Sequence, residues 1–574
     1  MKNRNIIVVL LALLLTTTGC QDFLNTKLDT FQTPEMLVTQ RGTLYSLATA
    51  FYTPLRYGFT ALDGNLFCAA TDEAQQTVIV GNALTFNLGI MNSKSIPENL
   101  YKNYYEGIRA SNKFLEFYAQ NPNLLKLNRD TIGEATNYNN DKLSIGWYVA
   151  EAHIAKAYYY FELIKRYGGV PIIKSSLDNL SPDSLYVKKS SYDDVVNYIV
   201  SEIDNNKANL QVYWKTSTFT TLEGRFTLGA ALALKTRVLL FAASPLHNPS
   251  NDITKWQRAA AAAIEMYKTT GLGLGLEASY GNYFKSSLTS TSKETIFGIR
   301  GGANNTPEKL NYPIATTGGG SGICPSQNLV DAFETLNGFT YDPANPYVNR
   351  DPRFATSIVY NGATWNNRTI LQATGDKDDQ ANSNASRTGY YLKKFLTDNL
   401  NLVQGTTEQH TWPVYRYGEF LLEYAEALNQ ACGPDGTTFT LNGTNYTATI
   451  TAKAALTLVR KRASASLQAV TTTDTVTFNI AVKHERQVEL AFEDYRYWDL
   501  IRWKDAETVL NQPIQGVKIT KINTGTDVAP VWVYSYQKLN VSTRTFVTPT
   551  NYYYPFAYSD VILSNNTLEQ NTGY

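Results

Sequence analysis

Three glutamates, Glu485, Glu489 and Glu493, recur at four-residue intervals within residues 481–504, a stretch whose apolar pattern is helical. On one helix face such a ladder of carboxylates could hold a metal ion or divide acid and base roles. Arg486 and Arg496 lie close by, and interleaved guanidinium and carboxylate groups favour ion pairs that hold helices together. The ladder is therefore read as structural. Arg350-Asp351-Pro352-Arg353 is read in the same way, as a turn with internal ion pairs.

Other reactive constellations are absent from the sequence. The four histidines, His153, His247, His410 and His484, show no His-Glu-x-x-His spacing, and His153 sits in an apolar stretch as a core group. No Gly-x-Ser-x-Gly elbow is present. Gly318 to Gly322 lacks the Lys-Ser/Thr that would hold phosphate and magnesium, and reads as a flexible surface loop. A glycosidase needs two carboxyls flanking one bond, and nothing nominates such a pair. No catalytic residue, metal site or cofactor is expected. The cysteines are Cys20, Cys68, Cys324 and Cys432, too irregular for a disulfide framework or a zinc site; one bridge among the last three stays open.

What the composition does offer is rings. There are 39 tyrosines and 8 tryptophans beside only 4 methionines. Such side chains present an apolar face and a polar tip, which suits sugars, whose C–H faces stack on rings while their hydroxyls bond nearby. Core packing accounts for most of them. The balance of 51 basic and 50 acidic residues argues against nucleic acid or an anionic membrane surface as the main partner.

The N-terminus reads as an export signal. Lys2 and Arg4 precede the apolar run Ile6 to Leu15, and Leu15-Thr16-Thr17-Thr18-Gly19-Cys20 resembles a bacterial lipobox. The run is shorter than the ~20 residues of a membrane-spanning helix. Removal of residues 1–19, acylation of Cys20 and a polar tether over 20–32 are expected, with several acyl chains anchoring the protein.

The elements that must position any site are mostly helical. The spacing predicts helices over 147–167 and 227–243, the first ended by Gly168-Gly169 and Pro171, the second begun by Thr227 and stopped at Ser244-Pro245. Further helices are expected at 99–118, 192–205, 253–267, 413–430, 452–463 and 481–504. Residues 270–410, rich in Gly, Asn, Thr and Ser, read as long loops and short strands inserted into that scaffold, where binding is commonly carried. Residues 434–450 read as a small hairpin, and the final stretch as extended.

Several blocks together resemble the SusD/RagB family of Bacteroidetes nutrient-binding lipoproteins. They are Cys20-Gln21-Asp22-Phe23-Leu24, the stretch Asn103 to Asn112, Ala157 to Leu163 with Tyr167-Gly168-Gly169-Val170-Pro171, Gly224-Arg225-Phe226-Thr227, and Asn349 to Phe354. Towards the end come Arg416-Tyr417 with Leu421 to Leu428, Glu485 to Glu493 with Arg496 and Arg502-Trp503, and the terminal Gln570 to Tyr574. The resemblance implies a mainly α fold with tetratricopeptide-like helix pairs. It implies one unit over 33–574, divided into a helical part 33–269, a loop-rich ligand-binding insertion 270–410 and a helical part 411–574. It also implies surface exposure at the outer membrane, a TonB-dependent SusC-like transporter as partner, and an oligosaccharide as ligand, with no catalysis. RagB-like peptide binding and a surface glycoside hydrolase are the alternatives. By the same resemblance the ligand loops carry Arg56, Tyr57, Asp63, Asp72, Glu73, Asn92, Tyr101, Tyr312 and Trp365. Tyr101 stands where the family's early helix usually opens with Trp.

Overall fold

A computed structural model describes residues 34–177, 186–214, 224–464 and 466–574; Cys20 lies outside the described residues. The helices that matter for the site are α1 (Gly42–Ala50), α2 (Tyr101–Gln120), α3 (Ala135–Tyr167), α4 (Tyr192–Asn206), α5 (Leu228–Ala243), α6 (Ile253–Lys268), α7 (Pro352–Ser357), α8 (Tyr417–Cys432), α9 (Ala452–Ala463), α10 (Thr475–Glu489), α11 (Tyr495–Trp503) and α12 (Tyr558–Leu563). Strands β1 (Ala74–Gln76), β2 (Thr295–Arg300), β3 (Ile323–Pro325), β4 (Thr411–Arg416), β5 (Thr438–Leu441), β6 (Thr444–Thr447), β7 (Ile514–Asn523) and β8 (Trp532–Ser542) form separate antiparallel pairs β1·β3, β2·β4, β5·β6 and β7·β8. The class is mainly α, with short strands in the loop-rich middle, as the sequence implies.

α3 is the central element. Residues 154–164 are buried on every side, because the two apolar stripes legible in the sequence adjoin and leave no wet face. The helix begins at Ala135 rather than at residue 147; its first turns are polar, so no apolar period announces them. Around it α2 packs on α3, α3 on α4, α4 on α5, α5 on α6, α6 on α8, and α8 on α9 and α10. Ser191, Thr227, Asp252, Thr451 and Asp474 each cap a helix by accepting a backbone N–H of its first turn. Among the described residues no helix is long and apolar enough to cross a membrane.

The β5·β6 hairpin falls within residues 434–450 and turns on Asn442-Gly443, both at positive φ (50° and 77°), the backbone a tight two-residue turn needs. Three other expectations are corrected. Residues 481–504 are two helices: α10 stops at Glu489, and Phe492 (φ 67°) and Asp494 (φ 64°) turn the chain before α11. The break is held from outside, because the Phe492 N–H donates to Glu73 Oε1 at 3.1 Å and Arg496 pairs with Asp72 at 2.8 Å. Gly318 to Gly322 is not a free surface loop. Ser321 is fully buried, and a Cβ on Gly319 would lie 2.7 Å from the Tyr312 carbonyl oxygen. Those glycines let backbones touch. Finally, residues 413–416 belong to β4 rather than to the start of a helix.

Candidate ligand-binding site

The carboxylates singled out for chemistry are all engaged. Arg416, fully buried, donates to Glu294 at 2.9 Å, to Glu489 at 2.8 Å and to Glu493 at 2.6 Å. Arg353 bonds Asp351 at 2.7 Å and Glu489 at 2.9 Å, and also reaches Glu485; Arg462 reaches Glu489 and Glu294; Lys394 bonds Glu493 at 2.7 Å. Burial alone would raise the Glu489 carboxyl, but Arg462, Arg416 and Arg353 outweigh it and hold it well below the usual range. A group locked as an anion among three guanidiniums is unsuited to moving protons. Glu493 lies beyond the end of α10, so it joins this network from the chain break rather than from the helix face. Cys68, Cys324 and Cys432 are free thiols, and no group of three His, Cys, Asp or Glu side chains suited to a metal occurs among the described residues. His153 bonds Glu202 at 2.7 Å at a partly exposed position.

The nine residues attributed to ligand loops fall in several places. Arg56 bridges Glu98 at 2.6 Å and Asp494 at 3.2 Å beneath the Phe67 ring. Asp72 and Glu73 are buried and fasten the break between α10 and α11 to β1. Burial, and then the neighbouring Asp72 charge, pushes the Glu73 carboxyl up to about 8. Asp63 accepts the Asn82 and Ala83 N–H groups, at 2.9 Å each, at the start of the helix Gly81–Leu88. Tyr57 packs on Phe59 and donates to the His410 carbonyl at 3.3 Å. Tyr312 and Trp365 meet edge to face at 5.1 Å but are both buried, the indole N–H donating to Asp398. Neither ring presents a face to a ligand in this arrangement.

Asn92 and Tyr101 meet through the C-terminal segment. Asn92 closes a turn by accepting from Lys94 and Ser95, and Ser93 of that turn accepts the Tyr558 N–H at 2.9 Å. Tyr101 packs edge-on to Phe556 at 5.5 Å and to Tyr167 at 5.2 Å, and against Tyr105 at 4.8 Å. Here a groove of about 430 Å³ opens between α2, residues 171–177, Val187 and α12. Tyr101, Tyr105 and Arg109 follow one another at four-residue steps along one side of α2, with Lys102 and Glu106 beside them. Pro171 and Ile173 form a wall, because Gly168 (φ 71°) ends α3 and returns the chain past α2, where Tyr105 Oη donates to the Pro171 carbonyl at 2.7 Å. Leu563 and Leu568 close the other side. Gln570 exchanges two hydrogen bonds with the Phe556 backbone, at 2.8 and 2.9 Å, and Asn571 donates to the Tyr167 and Tyr554 carbonyls, so the chain's end holds that wall in place.

The polar groups of the groove are largely free. Lys102 and Glu106 pair loosely at 3.8 Å in solvent. Arg109 has no partner among the described residues. Among the described residues the Asp560 side chain bonds the Ser559 hydroxyl alone, at 3.4 Å, and burial pushes its carboxyl up. Two tyrosine rings and aliphatic walls, with a guanidinium and a carboxylate at the rim that form no ion pair among the described residues, form the mixed surface that small polar ligands with apolar faces require. Of these groups the sequence singled out Tyr101 alone; the Tyr101–Tyr105–Arg109 spacing on a helix was the signal for the rest.

Two family models match the chain. One, described as the SusD family, matches residues 289–574, and one described as starch-binding and associating with the outer membrane matches residues 22–240. A SusD-like protein of Formosa agariphila is 24% identical over 417 residues, covering 67% of this chain and 71% of its own. A SusD-like protein of Bacteroides fragilis superposes with a TM-score of 0.74 at 22% identity, over 94% of this chain and 99% of its own. A SusD-like carbohydrate binding protein of the same organism gives 0.71 at 24% identity, over 92% of this chain and 99% of its own.

Proposed function

Because the chain belongs to the SusD/RagB family, we propose that it captures oligosaccharides at the cell surface and passes them to a TonB-dependent SusC-like transporter, without altering them. The observation that carries this reading is the groove at Tyr101, with its paired rings and with Arg109 and Asp560 at its rim. One solved relative with this fold is described as carbohydrate binding. The outer-membrane association named for the family agrees with an anchor on Cys20. The non-catalytic part of the reading is supported by the carboxylate ladder, which is consumed by arginines.

The test is calorimetry of the lipid-free protein against a panel of oligosaccharides and short peptides. Binding of one glycan series, with Tyr101→Ala weakening it by ~1–3 kcal/mol, the scale of other ring-stacking contacts, is the expected result. Selective binding of peptides would replace the ligand class, and release of shorter sugars from the bound one would replace the non-catalytic reading.

A further inference from the structure

The β7·β8 hairpin carries a second set of rings. Trp532, Tyr534 and Tyr536 alternate along β8 and so share one face, opposite Asn523, Lys521 and Ile519 of β7. At the base this face is packed: Ile519 is buried, and Tyr536 stands edge-on to Tyr347 at 5.2 Å while its hydroxyl accepts from Asn361 at 3.2 Å. At the tip it opens. Trp532 is 48% exposed, with the Lys521 ammonium 4.8 Å from its ring centroid, and its indole N–H has no partner among the described residues. Lys521 is itself ion-paired to Asp376. The loop that supplies Asp376 is braced, since Asp376 accepts the Ala373 N–H at 2.9 Å and Asp379 accepts those of Gly375 and Ala381 at 2.8 Å each.

The half-exposed indole is held in place by a lysine that is fixed in turn. The ring is preorganised, its N–H is free to donate, and a carboxylate and an ammonium stand beside it. We propose that the Trp532 tip is a second carbohydrate platform, stacking a pyranose of a polymeric glycan on the indole. It shares no residue with the Tyr101 groove. A glycan long enough to span both ring sites is held more tightly than a short one, because its second contact is intramolecular. The inference rests on the glycan reading above but concerns a separate surface.

The experiment is native electrophoresis in gels cast with amylopectin, xylan, laminarin or pectin, using wild type, Trp532→Ala, Trp532→Phe and Tyr101→Ala. In a gel that retards wild type, Trp532→Ala is expected to be held about thirtyfold more weakly, the middle of the range for lost ring stacking, while Trp532→Phe keeps most of the retention. Circular dichroism and melting checks that each variant is folded. Trp532→Ala migrating as wild type in that gel overturns the platform and leaves the groove standing if Tyr101→Ala is released. Release by Trp532→Ala but not by Tyr101→Ala supports the platform and overturns the groove. Wild type unretarded in every gel overturns both.

Discussion

Glu489 decides how residues of catalytic type are used in this protein. Its two oxygens face Arg353, Arg416 and Arg462 in a dry interior, so removing it takes one carboxylate from each of three buried guanidiniums and leaves Glu294 to serve both Arg416 and Arg462. Glu489→Ala is expected to cost ~3–5 kcal/mol, the range for breaking one side of a buried pair, and to lower the melting temperature with little effect on the affinity of whatever protein remains folded. A stable variant without ligand binding would reverse that assignment. Glu73 makes a pH prediction. Its folded carboxyl titrates at about 8 against an ordinary 4.5, so between those values the folded chain keeps a proton that the unfolded chain has lost. Stability from this group is complete at low pH and falls as pH rises through that window. Glu73→Gln cannot titrate, so its melting temperature should drop less than that of wild type between about pH 5 and about pH 8. Equal drops in the two proteins would place the protonation elsewhere.

At the scale of elements, the helix caps are the features most plainly written in the sequence. Thr227 accepts the Ala230 N–H at 3.1 Å at the start of α5, and Thr227→Ala should cost ~1 kcal/mol in denaturant unfolding; a neutral substitution would mean that packing alone fixes that helix start. Elements set by local chemistry were legible, including α3's glycine stop and the Asn442-Gly443 turn. Elements set by distant partners were not. The break at Phe492 is imposed by Glu73, more than 400 positions away in sequence, and no period within residues 481–504 encodes it. Gly318 to Gly322 looked loose because glycine serves both mobility and close packing, and only the neighbouring Tyr312 and Leu310 carbonyls tell which. The groove was the least legible. Its described walls come from residues 101–109, 171–177, Val187 and residues 560–568, and of these only Tyr101 was named as a ligand residue, through a family resemblance rather than through its own pattern. Trp365 and Tyr57 were attractive as rings, yet Trp365 lies inside and Tyr57 is packed on Phe59.

For the whole molecule, early and late segments are stitched together. Arg56 pairs with Asp494, Asp72 with Arg496, and Arg544 donates to the Ala69 and Ala74 carbonyls. Such contacts run across the proposed subdivision at residues 269 and 410, and a single calorimetric unfolding transition is expected; two resolved transitions would mark separate domains. The proposed anchor makes a prediction at the same scale. Cys20→Ala should move the protein out of the membrane fraction, and a variant still sedimenting with membranes in high salt, in cells lacking the transporter, would refute acylation at that residue. The clamp made by Gln570 and Asn571 has a consequence for biogenesis. A polypeptide is synthesised from its N-terminus at roughly 5–20 residues per second, so Gln570 and Asn571, which secure α12 against Tyr167 and Phe556, are made after every other wall of the groove. A chain that has not yet reached Asn571 has no finished groove, and one truncated after Asn566 is expected to lose the Tyr101 groove's share of sugar binding in calorimetry even where its helices form. Until Gln570 and Asn571 are made, the contacts that close the far wall of the groove are withheld, although the helical core they lean on is already complete in sequence.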